Sequence, residues 1–311
     1  MGGLFNSPDT GIAKWNGATW DTTFRGFNDS DVRAIDNYNG MLYGAGGFFR
    51  ACGKRVNGFT RWDGICWDSL NIAGVVINSM CEYNGLLYCV GLFDSIGGYH
   101  SPIIISWDGN SWIPVGLPNH VSGSTEVCCV YQNELYIAGN FADSIGVLSG
   151  CSKFNGTSWT QVGTNFGGLI HAAAVYNNEL YFGGNYLSGP NFYLVKYDGT
   201  SFSAVGNGFV GNVYNLRVID DKLFAVGYID SAGGIPVSNI AVWDGNNWSA
   251  FSNDVFDNGI GDVAVFNNEL YVTGGFTMIN STPVNYIAKY DGWYLGEEIP
   301  AKRTDGIQLI S

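Results

Sequence analysis

The feature that most constrains this chain is a short motif, an aromatic residue followed by Asp or Asn and then Gly, that recurs seven times. The copies begin at Trp15, Trp62, Trp107, Phe154, Tyr197, Trp243 and Tyr290. Successive copies are about 46 residues apart, which is the period of a repeat built from one small structural unit. The repeat therefore constrains the fold more strongly than any single residue does.

A second motif lies between successive copies of the first. It is Asn-Gly, Asn-Glu or Asp-Lys, leads into Leu-Tyr or Leu-Phe and then a glycine, and begins at Asn39, Asn84, Asn133, Asn178, Asp221 and Asn268. Asn and Gly tolerate the positive φ of the tight primed turns that join antiparallel strands. Two turn motifs per repeat predict two hairpins, and hence four strands, which we call A to D.

In the repeat that follows Asp31, the predicted strands are 32 to 38 (A), 41 to 48 (B), 59 to 62 (C) and 65 to 69 (D). Apolar residues occupy successive positions of these strands, as in 263 to 266, rather than alternate ones. A sheet that is apolar on both faces is packed between two neighbours. This pattern is typical of propeller blades.

The two ends of the chain predict how the blades close. Gly3-Leu4-Phe5 aligns with Gly91-Leu92-Phe93 at the end of a strand B, and 306 to 310 falls where a strand A is due. We therefore expect an all-β, seven-bladed β-propeller of four-stranded antiparallel blades, in a single domain over 1–311. Six full blades would span 31–299. A composite blade (1–24 plus 305–311) would pair a C-terminal strand A with N-terminal strands B, C and D, leaving no open edge.

Charge and hydropathy narrow the range of partners. The net charge of −13 opposes the phosphate neutralisation on which nucleic-acid binding depends, and it is equally unsuited to anionic lipid surfaces. The sequence has no apolar window long enough to span a membrane, and its first residues lack the basic start and apolar stretch of a signal peptide. We expect no nucleic-acid partner and no membrane insertion.

The seven cysteines are at 52, 66, 81, 89, 128, 129 and 151, with no Cys-x-x-Cys spacing. That spacing argues against a zinc site, and most of these cysteines lie on predicted strands where other repeats carry small apolar residues. We expect them to act mainly as buried hydrophobes. No disulfide should join distant blades, because strands in separate blades exceed the reach of such a bond. No cofactor is expected.

The chain resembles bacterial secreted propellers with repeats of the form N-x-LY-x-x-G-x-F…IA-x-WDG-x-x-W, a group distantly similar to Kelch propellers. The clearest copy is Ile240-Ala241-Val242-Trp243-Asp244-Gly245-Asn246-Asn247-Trp248. The resemblance covers essentially the whole chain and supplies no catalytic residues to carry over. It implies an extracellular or cell-surface protein. WD40 propellers are excluded, since their Gly-His pairs are missing from a chain with three histidines.

An enzyme would need an activated nucleophile, an acid and base pair, or a metal at one site. His100, His120 and His171 map near the face that carries the B–C and D–A loops, so a copper ion there is conceivable. The three histidines come from separate repeats and show no metal-binding spacing, which favours ordinary surface residues. The sequence therefore names no catalytic residue and no metal ligand, and catalysis stays open but disfavoured.

Six residues are candidate ligand contacts. Asp36 and Arg217 share one register of strand A, two positions before its closing aromatic or apolar residue, and would set a local field if that register faces a channel. Arg50, Lys54 and Arg55 form a basic cluster in an acidic chain, suited to an anion, and His100 lies in a B–C loop. The blander alternatives are a structural ion pair for the first two and solvated loops for the others.

These observations favour a binding or scaffolding propeller that recognises a protein or a glycan through one face of its blades. Two alternatives remain. One is a propeller enzyme, either a polysaccharide hydrolase or lyase or a copper oxidase, with residues at the channel mouth. The other is a structural spacer within a larger surface assembly.

Overall fold

The computed structural model describes residues 12–16, 19–21, 27–28, 31–70, 74–117, 121–144, 149–163, 169–185, 193–290 and 307–309. Its regular structure is β-strand throughout. Within these residues there is no helix long and apolar enough to cross a membrane. The chain divides into two compact units, Met1–Asn165 and Phe166–Ser311.

The first unit holds the strands up to residue 163. These are β1 (Lys14–Trp15), β2 (Trp20–Asp21), β3 (Phe27–Asn28), β4 (Val32–Tyr38), β5 (Met41–Gly46), β6 (Arg50–Ala51), β7 (Lys54–Arg55), β8 (Phe59–Trp62), β9 (Trp67–Ser69), β10 (Val76–Tyr83), β11 (Leu86–Leu92), β12 (Ser95–Ile96), β13 (Tyr99–His100), β14 (Ile104–Trp107), β15 (Trp112–Ile113), β16 (Ser122–Tyr131), β17 (Glu134–Ala142), β18 (Ser149–Phe154) and β19 (Trp159–Gly163). They form three blades, with the orders β4-β5-β8-β9, β10-β11-β14-β15 and β16-β17-β18-β19.

The second unit holds the remaining strands. These are β20 (Ile170–Tyr176), β21 (Glu179–Gly184), β22 (Leu194–Tyr197), β23 (Phe202–Ala204), β24 (Phe209–Ile219), β25 (Lys222–Ala232), β26 (Ile235–Pro236), β27 (Ile240–Trp243), β28 (Trp248–Ala250), β29 (Ile260–Phe266), β30 (Glu269–Gly274), β31 (Met278–Ile279), β32 (Thr282–Pro283), β33 (Ile287–Tyr290) and β34 (Ile307–Leu309). Three further blades have the orders β20-β21-β22-β23, β24-β25-β27-β28 and β29-β30-β33-β34.

The prediction of an all-β propeller with four-stranded antiparallel blades is confirmed, but the prediction of seven blades is wrong, because the described residues form six. The C-terminal strand decides the count. β34 pairs antiparallel with β33, with Leu309 opposite Ala288 and Ile307 opposite Tyr290, so it is the fourth strand of the sixth blade. The predicted pairing of 305–311 with N-terminal strands is therefore overturned.

The N-terminal copy of the repeat motif accounts for the miscount. Trp15 pairs with Trp20 in a two-stranded hairpin of β1 and β2, and β3 pairs with β6 in a loop of the first blade. This copy therefore makes a turn without making a four-stranded sheet. The rest of the predicted composite blade, 1–11, 17–18, 22–26, 305–306 and 310–311, lies outside the described residues.

Blade packing follows the predicted two-sided apolar pattern. In β25, Leu223 and Ala225 enter one buried cluster together with residues of the fourth blade. The intervening residues Phe224 and Val226 enter a second cluster together with residues of the sixth blade. Alternate side chains of β25 thus fill two inter-blade cores, so the fifth blade is stabilised by burial on both faces.

The two turn motifs form different turns. The A–B turns are two-residue primed turns as predicted, with φ of 51° and 74° at Asn39 and Gly40. In the C–D turns only the glycine is left-handed, with φ near 102° at Gly109 and Gly245. The preceding Asp108 instead accepts hydrogen bonds from the backbone N–H groups of residues 110 and 111, both at 2.7 Å. The aspartate is thus a side-chain cap of a longer turn.

These capped turns predict a loss of stability in acid. The carboxyl of Asp198 accepts hydrogen bonds within its turn, of which the one from the backbone N–H of Ser201 has the largest effect. These bonds hold the pKa of the carboxyl well below its ordinary value. An aspartate with a lowered pKa stabilises the fold above its unfolded pKa of about 4, and this contribution is lost as pH falls further. We expect Asp198→Asn to reduce the fall in melting temperature between about pH 6 and pH 3, measured by calorimetry. Asn155 already holds the equivalent turn in the third blade, so the variant should fold. An unchanged pH dependence would contradict this account.

A tyrosine at the end of strand A links successive blades. The hydroxyl of Tyr38 donates to the carbonyl of Gly85 at 2.8 Å, that of Tyr83 donates to Asn133 at 3.1 Å, and that of Tyr176 donates to Asp221 at 3.0 Å. Each acceptor lies in the A–B turn of the next blade. The same bond thus recurs between blades in both units.

Removing one of these hydroxyls tests the link. We expect Tyr38→Phe to lower the free energy of unfolding by about 1 kcal/mol, since it leaves the Gly85 carbonyl without this donor and keeps the ring. The sixth blade carries Phe266 at this position, so the ring alone is compatible with the fold. Chemical denaturation measures the change, and a gain in stability would contradict the assignment.

Candidate functional site

The first strand of every blade contains a β-bulge at the same position. The cross-strand register shifts around one extra residue, which is Arg33, Asn78, Glu126, His171, Tyr214 and Gly261 in the six blades in order. A bulge re-aims the side chain of its extra residue and is frequent beside functional sites. These six positions share one backbone geometry and carry six different side chains.

A glycine in strand B makes each bulge possible. The six glycines are Gly46, Gly91, Gly139, Gly184, Gly227 and Gly274, and they are the glycines of the Leu-Tyr motif. A Cβ at any of them would overlap the backbone carbonyl two residues before the bulged residue of the same blade. The motif glycine therefore provides space for the bulge, and the bulged residue can be located from it.

In the first unit, the bulged residues Arg33, Asn78 and Glu126 form a polar row together with Asp31 and Ser124. Arg33 donates through Nε to Asp31 at 2.5 Å and through Nη1 to Asn78 Oδ1 at 2.6 Å. The Nδ2 group of Asn78 donates to Glu126 Oε2 at 3.1 Å and to the hydroxyl of Ser124 at 3.3 Å. The row crosses three consecutive blades, and its side chains hold one another in place.

In the second unit, the bulged residues His171 and Tyr214 form an aromatic row together with Tyr228 of β25, and the third bulged residue is Gly261. The ring of His171 meets Tyr214 edge to face at a centroid distance of 5.9 Å, and Tyr214 meets Tyr228 in the same way at 5.6 Å. Both tyrosines are well exposed, at 39% for Tyr214 and 46% for Tyr228. Partial burial raises the pKa of the Tyr214 phenol above its ordinary value.

The Tyr228 ring is held in place by Asn258 and Gly259. A Cβ at Gly259 would lie 2.9, 2.9 and 3.0 Å from three adjacent ring carbons, so the backbone of Gly259 packs against the face of the ring. The Tyr228 hydroxyl donates to Oδ1 of Asn258, which also accepts from the N–H of Gly259 at 2.8 Å. The Asn258 carbonyl accepts from Asn239 at 3.0 Å. The ring thus has a fixed orientation.

The predicted basic cluster lies on one short hairpin of the first unit. Arg50 is opposite Arg55, and Lys54 is opposite Ala51, in β6 and β7. Arg55 donates to Asn57 Oδ1 at 2.8 Å, and the amino group of Lys54 is 3.9 Å from Asp68. The structure therefore brings the three cations together on an exposed edge, while their role in anion binding stays a prediction.

A disulfide fixes this hairpin. Cys52 and Cys66 are bonded, with their Cα atoms 6.0 Å apart, so the bond joins the hairpin to the C–D turn of the same blade. These two cysteines are therefore not the buried hydrophobes that we expected. Of the others, Cys89, Cys128 and Cys151 are buried, and burial holds the pKa of the Cys151 thiol well above its usual value.

Asp36 and Arg217 each have a partner within their own unit. Arg217 makes a bidentate contact with Asp262, at 2.8 and 2.7 Å, which raises its pKa. Asp36 lies in the first unit, where burial raises the pKa of its carboxyl and the N–H of Asn37 donates to it at 2.7 Å. The observed pair of Arg217 and Asp262 agrees with the structural alternative for Arg217, and a ligand role for either residue stays a prediction.

The two histidines that the structure describes, His100 and His171, lie in different units. His100 lies on the exposed hairpin of β12 and β13, with Nδ1 3.5 Å from Asp94, and His171 belongs to the aromatic row. His120 lies outside the described residues. Among the described residues, no group of three or more His, Cys, Asp or Glu side chains is arranged to hold a metal ion.

Sequence reasoning chose a register of strand A that is three residues away from the bulge. Asp36 lies three residues after Arg33, and Arg217 lies three residues after Tyr214. His171 is the one bulged residue that the sequence singles out, because periodicity alone describes a regular strand without a bulge. The motif glycine, which recurs at the same offset from the bulge, is the signal that would have located the others.

Comparison with known proteins supports the fold. The chain is similar to the computationally designed Ika8 protein, with 12% sequence identity and a TM-score of 0.50, over 86% of this chain and 72% of that chain. At this identity the similarity concerns the propeller fold alone. No family model matches the sequence, and no curated protein matches it.

Proposed function

We propose that this propeller is an extracellular or cell-surface binding module that recognises a protein or a glycan through the blade edge where strand A begins and strand B ends. The single observation that carries the proposal is the recurrent bulge, which presents a different side chain from an identical backbone position in each blade. If these positions served the repeated structure alone, we would expect similar residues at them, whereas they vary from Arg to Tyr to Gly between blades.

The exposure of these positions supports the proposal. Arg33 and Tyr214 are exposed, and Asn78, Glu126 and His171 are partly exposed, although the residue before each of them on its strand is buried. Rigid strands that carry exposed, mutually held side chains are suited to recognition, because little conformational entropy is lost on binding. The first unit carries a charged, hydrogen-bonded row at this blade edge, and the second unit carries an aromatic row at the corresponding edge of its own blades.

The disulfide supports the proposed location. Disulfides persist in oxidising compartments, which include the cell exterior and the bacterial periplasm, and are rare in the cytosol. The bond between Cys52 and Cys66 stabilises an exposed hairpin of the kind that extracellular proteins protect in this way. The acidic net charge of −13 is consistent with a protein or glycan partner and opposes a nucleic-acid partner.

The test is a binding screen with matched variants. The protein is applied to an array of glycans and to an array of purified surface proteins, and each binder is measured again with Glu126→Ala, Tyr214→Ala and Glu82→Ala. Glu82 is an exposed acid at the opposite end of strand A and is the control. We expect at least one bulge variant to weaken a binder about tenfold or more, and Glu82→Ala to leave it unchanged.

Two results would contradict the proposal. The first is a binder that is lost in Glu82→Ala but retained in both bulge variants, which would place recognition at the A–B turns. The second is no binder in either array, which would favour a structural spacer.

A further inference from the structure

We propose that the aromatic row of the second unit is a carbohydrate-stacking site for neutral oligosaccharides of pyranose units with equatorial hydroxyls. This inference rests on the proposed binding function and names the ligand class for the aromatic row. In such sugars the hydroxyls point outward and the axial C–H groups form a flat apolar surface on each side of the ring. That surface complements the electron-rich face of an aromatic side chain.

Tyr228 provides the stacking surface. One face of its ring packs on the Gly259 backbone, while 46% of the residue is exposed, so part of the ring outside that contact is open to a ligand. A ring supported in this way is already oriented before binding and loses little entropy when a sugar stacks on it. Gly259 has ordinary backbone torsions, and the close approach of the ring therefore explains why no side chain is present there.

Tyr214 and His171 extend the site along the row. The rings of Tyr214 and Tyr228 are almost perpendicular, at 87°, with centroids 5.6 Å apart. The Tyr214 ring therefore stands as a wall beside a sugar that stacks on Tyr228. His171 continues the row at a similar spacing of 5.9 Å from Tyr214, comparable to the length of one sugar unit.

Amide groups next to the row suit sugar hydroxyls. Oδ1 of Asn258 already accepts from two donors, Tyr228 and Gly259, and no described residue accepts from its Nδ2 group, which is available to a hydroxyl oxygen. Asn212 lies opposite Tyr228 in the strand pairing and adds a second amide. The nearby charges of Arg217 and Asp262 neutralise each other. Aromatic faces and amides suit the ring faces and hydroxyls of a sugar, and the Arg217 cation is already paired with Asp262, which favours a neutral sugar over an acidic one.

A proline-rich peptide is the competing occupant, because aromatic side chains also bind polyproline helices. Such sites usually donate a hydrogen bond from the aromatic residue to a peptide carbonyl. The Tyr228 hydroxyl already donates its hydrogen bond to Asn258, so the ring of Tyr228, rather than its hydroxyl, is the part that can contact a ligand. This arrangement favours stacking of a sugar over capture of a peptide.

The experiment measures binding of short β-linked oligosaccharides derived from cellulose, xylan and chitin, with an oligogalacturonide as the acidic comparison and a proline-rich peptide as the competing ligand. Titrations are followed by saturation-transfer NMR and calorimetry. The variants are Tyr228→Ala, Tyr214→Ala and Gly259→Ala, with Tyr286→Ala as control. Tyr286 is 53% exposed, lies in the same unit and is outside the row. Circular dichroism and melting curves check that each variant is folded.

We expect at least one neutral oligosaccharide to bind, and its affinity to fall about tenfold or more in Tyr228→Ala and Tyr214→Ala. Gly259→Ala keeps the tyrosine but adds a Cβ against its ring, so it should also weaken binding. Tyr286→Ala should bind as the parent does.

The inference is overturned if no neutral oligosaccharide binds, if the row variants bind like the parent, or if only the peptide or the acidic sugar binds. The proposed binding function is tested by a different result. It survives such a result if another partner from the screen is lost in Glu126→Ala, and it fails if neither the row variants nor Glu126→Ala affects any partner.

Discussion

Replacing Gly227 by alanine is expected to lower the free energy of unfolding by about 3 kcal/mol, the upper part of the range for overpacking in a well-packed interior. The new Cβ would overlap the carbonyl of Asn212, and it would also lie 3.0 Å from the N atom of Tyr214. These are backbone atoms inside a paired hairpin, so they cannot move aside as a flexible side chain would. The bulge at Tyr214 must shift or flatten, and the aromatic row should be displaced together with it.

Urea denaturation measures the change, and NMR signals of Tyr214 and Tyr228 report the displacement. Gly116→Ala is the matched control, because a Cβ there meets no atom within 4 Å and its φ is not positive. The control should change stability by less than about 0.5 kcal/mol. Equal stability of the two variants would contradict the role assigned to the motif glycine.

Replacing Trp248 by alanine is expected to cost about 3–5 kcal/mol, the usual range for truncating a buried large aromatic side chain. Trp248 is 5% exposed and contacts the rings of Trp243 and Phe209, with centroids 5.2 and 5.1 Å away. Its indole N–H donates to the Val205 carbonyl at 3.2 Å. Alanine would leave a cavity between the fourth and fifth blades and a carbonyl without this donor.

Calorimetry on Trp248→Ala, Trp248→Phe and Tyr286→Ala separates the contributions. Phenylalanine keeps most of the volume and loses the hydrogen bond, so its loss should be intermediate. Tyr286 is an exposed aromatic residue, and its truncation should be nearly neutral. A loss below about 1 kcal/mol for Trp248→Ala would show that the inter-blade core does not depend on this residue.

The repeat motifs were sufficient to predict blade architecture and most strand boundaries. Strands A and C of the first blade were predicted at 32 to 38 and 59 to 62, and β4 and β8 have these bounds. Strand D was predicted from residue 65 but begins at Trp67, because Asp63 holds the N–H groups of Ile65 and Cys66 in the turn. The number of blades could not be counted from the turn motif, since one copy of it joins only β1 and β2.

The candidate site was less predictable than the fold. Periodicity assigns strand residues to faces only while the strand is regular, and a bulge changes the facing of each residue beyond it. The pairing of Arg217 with Asp262 joins two blades, so it depends on packing that the order of residues does not reveal. The packing of Gly259 on Tyr228 joins two distant segments of the chain for the same reason.

The measurement that tests the central claim most directly is NMR chemical-shift mapping of a binder found in the screen. The account predicts that the largest amide shifts occur at bulged residues and their neighbours, around Arg33, Asn78 and Glu126 in one unit or around His171 and Tyr214 in the other. Shifts concentrated at the opposite A–B turns, around residues 39–40, 84–85 and 132–133, with the bulged residues unaffected, would contradict it.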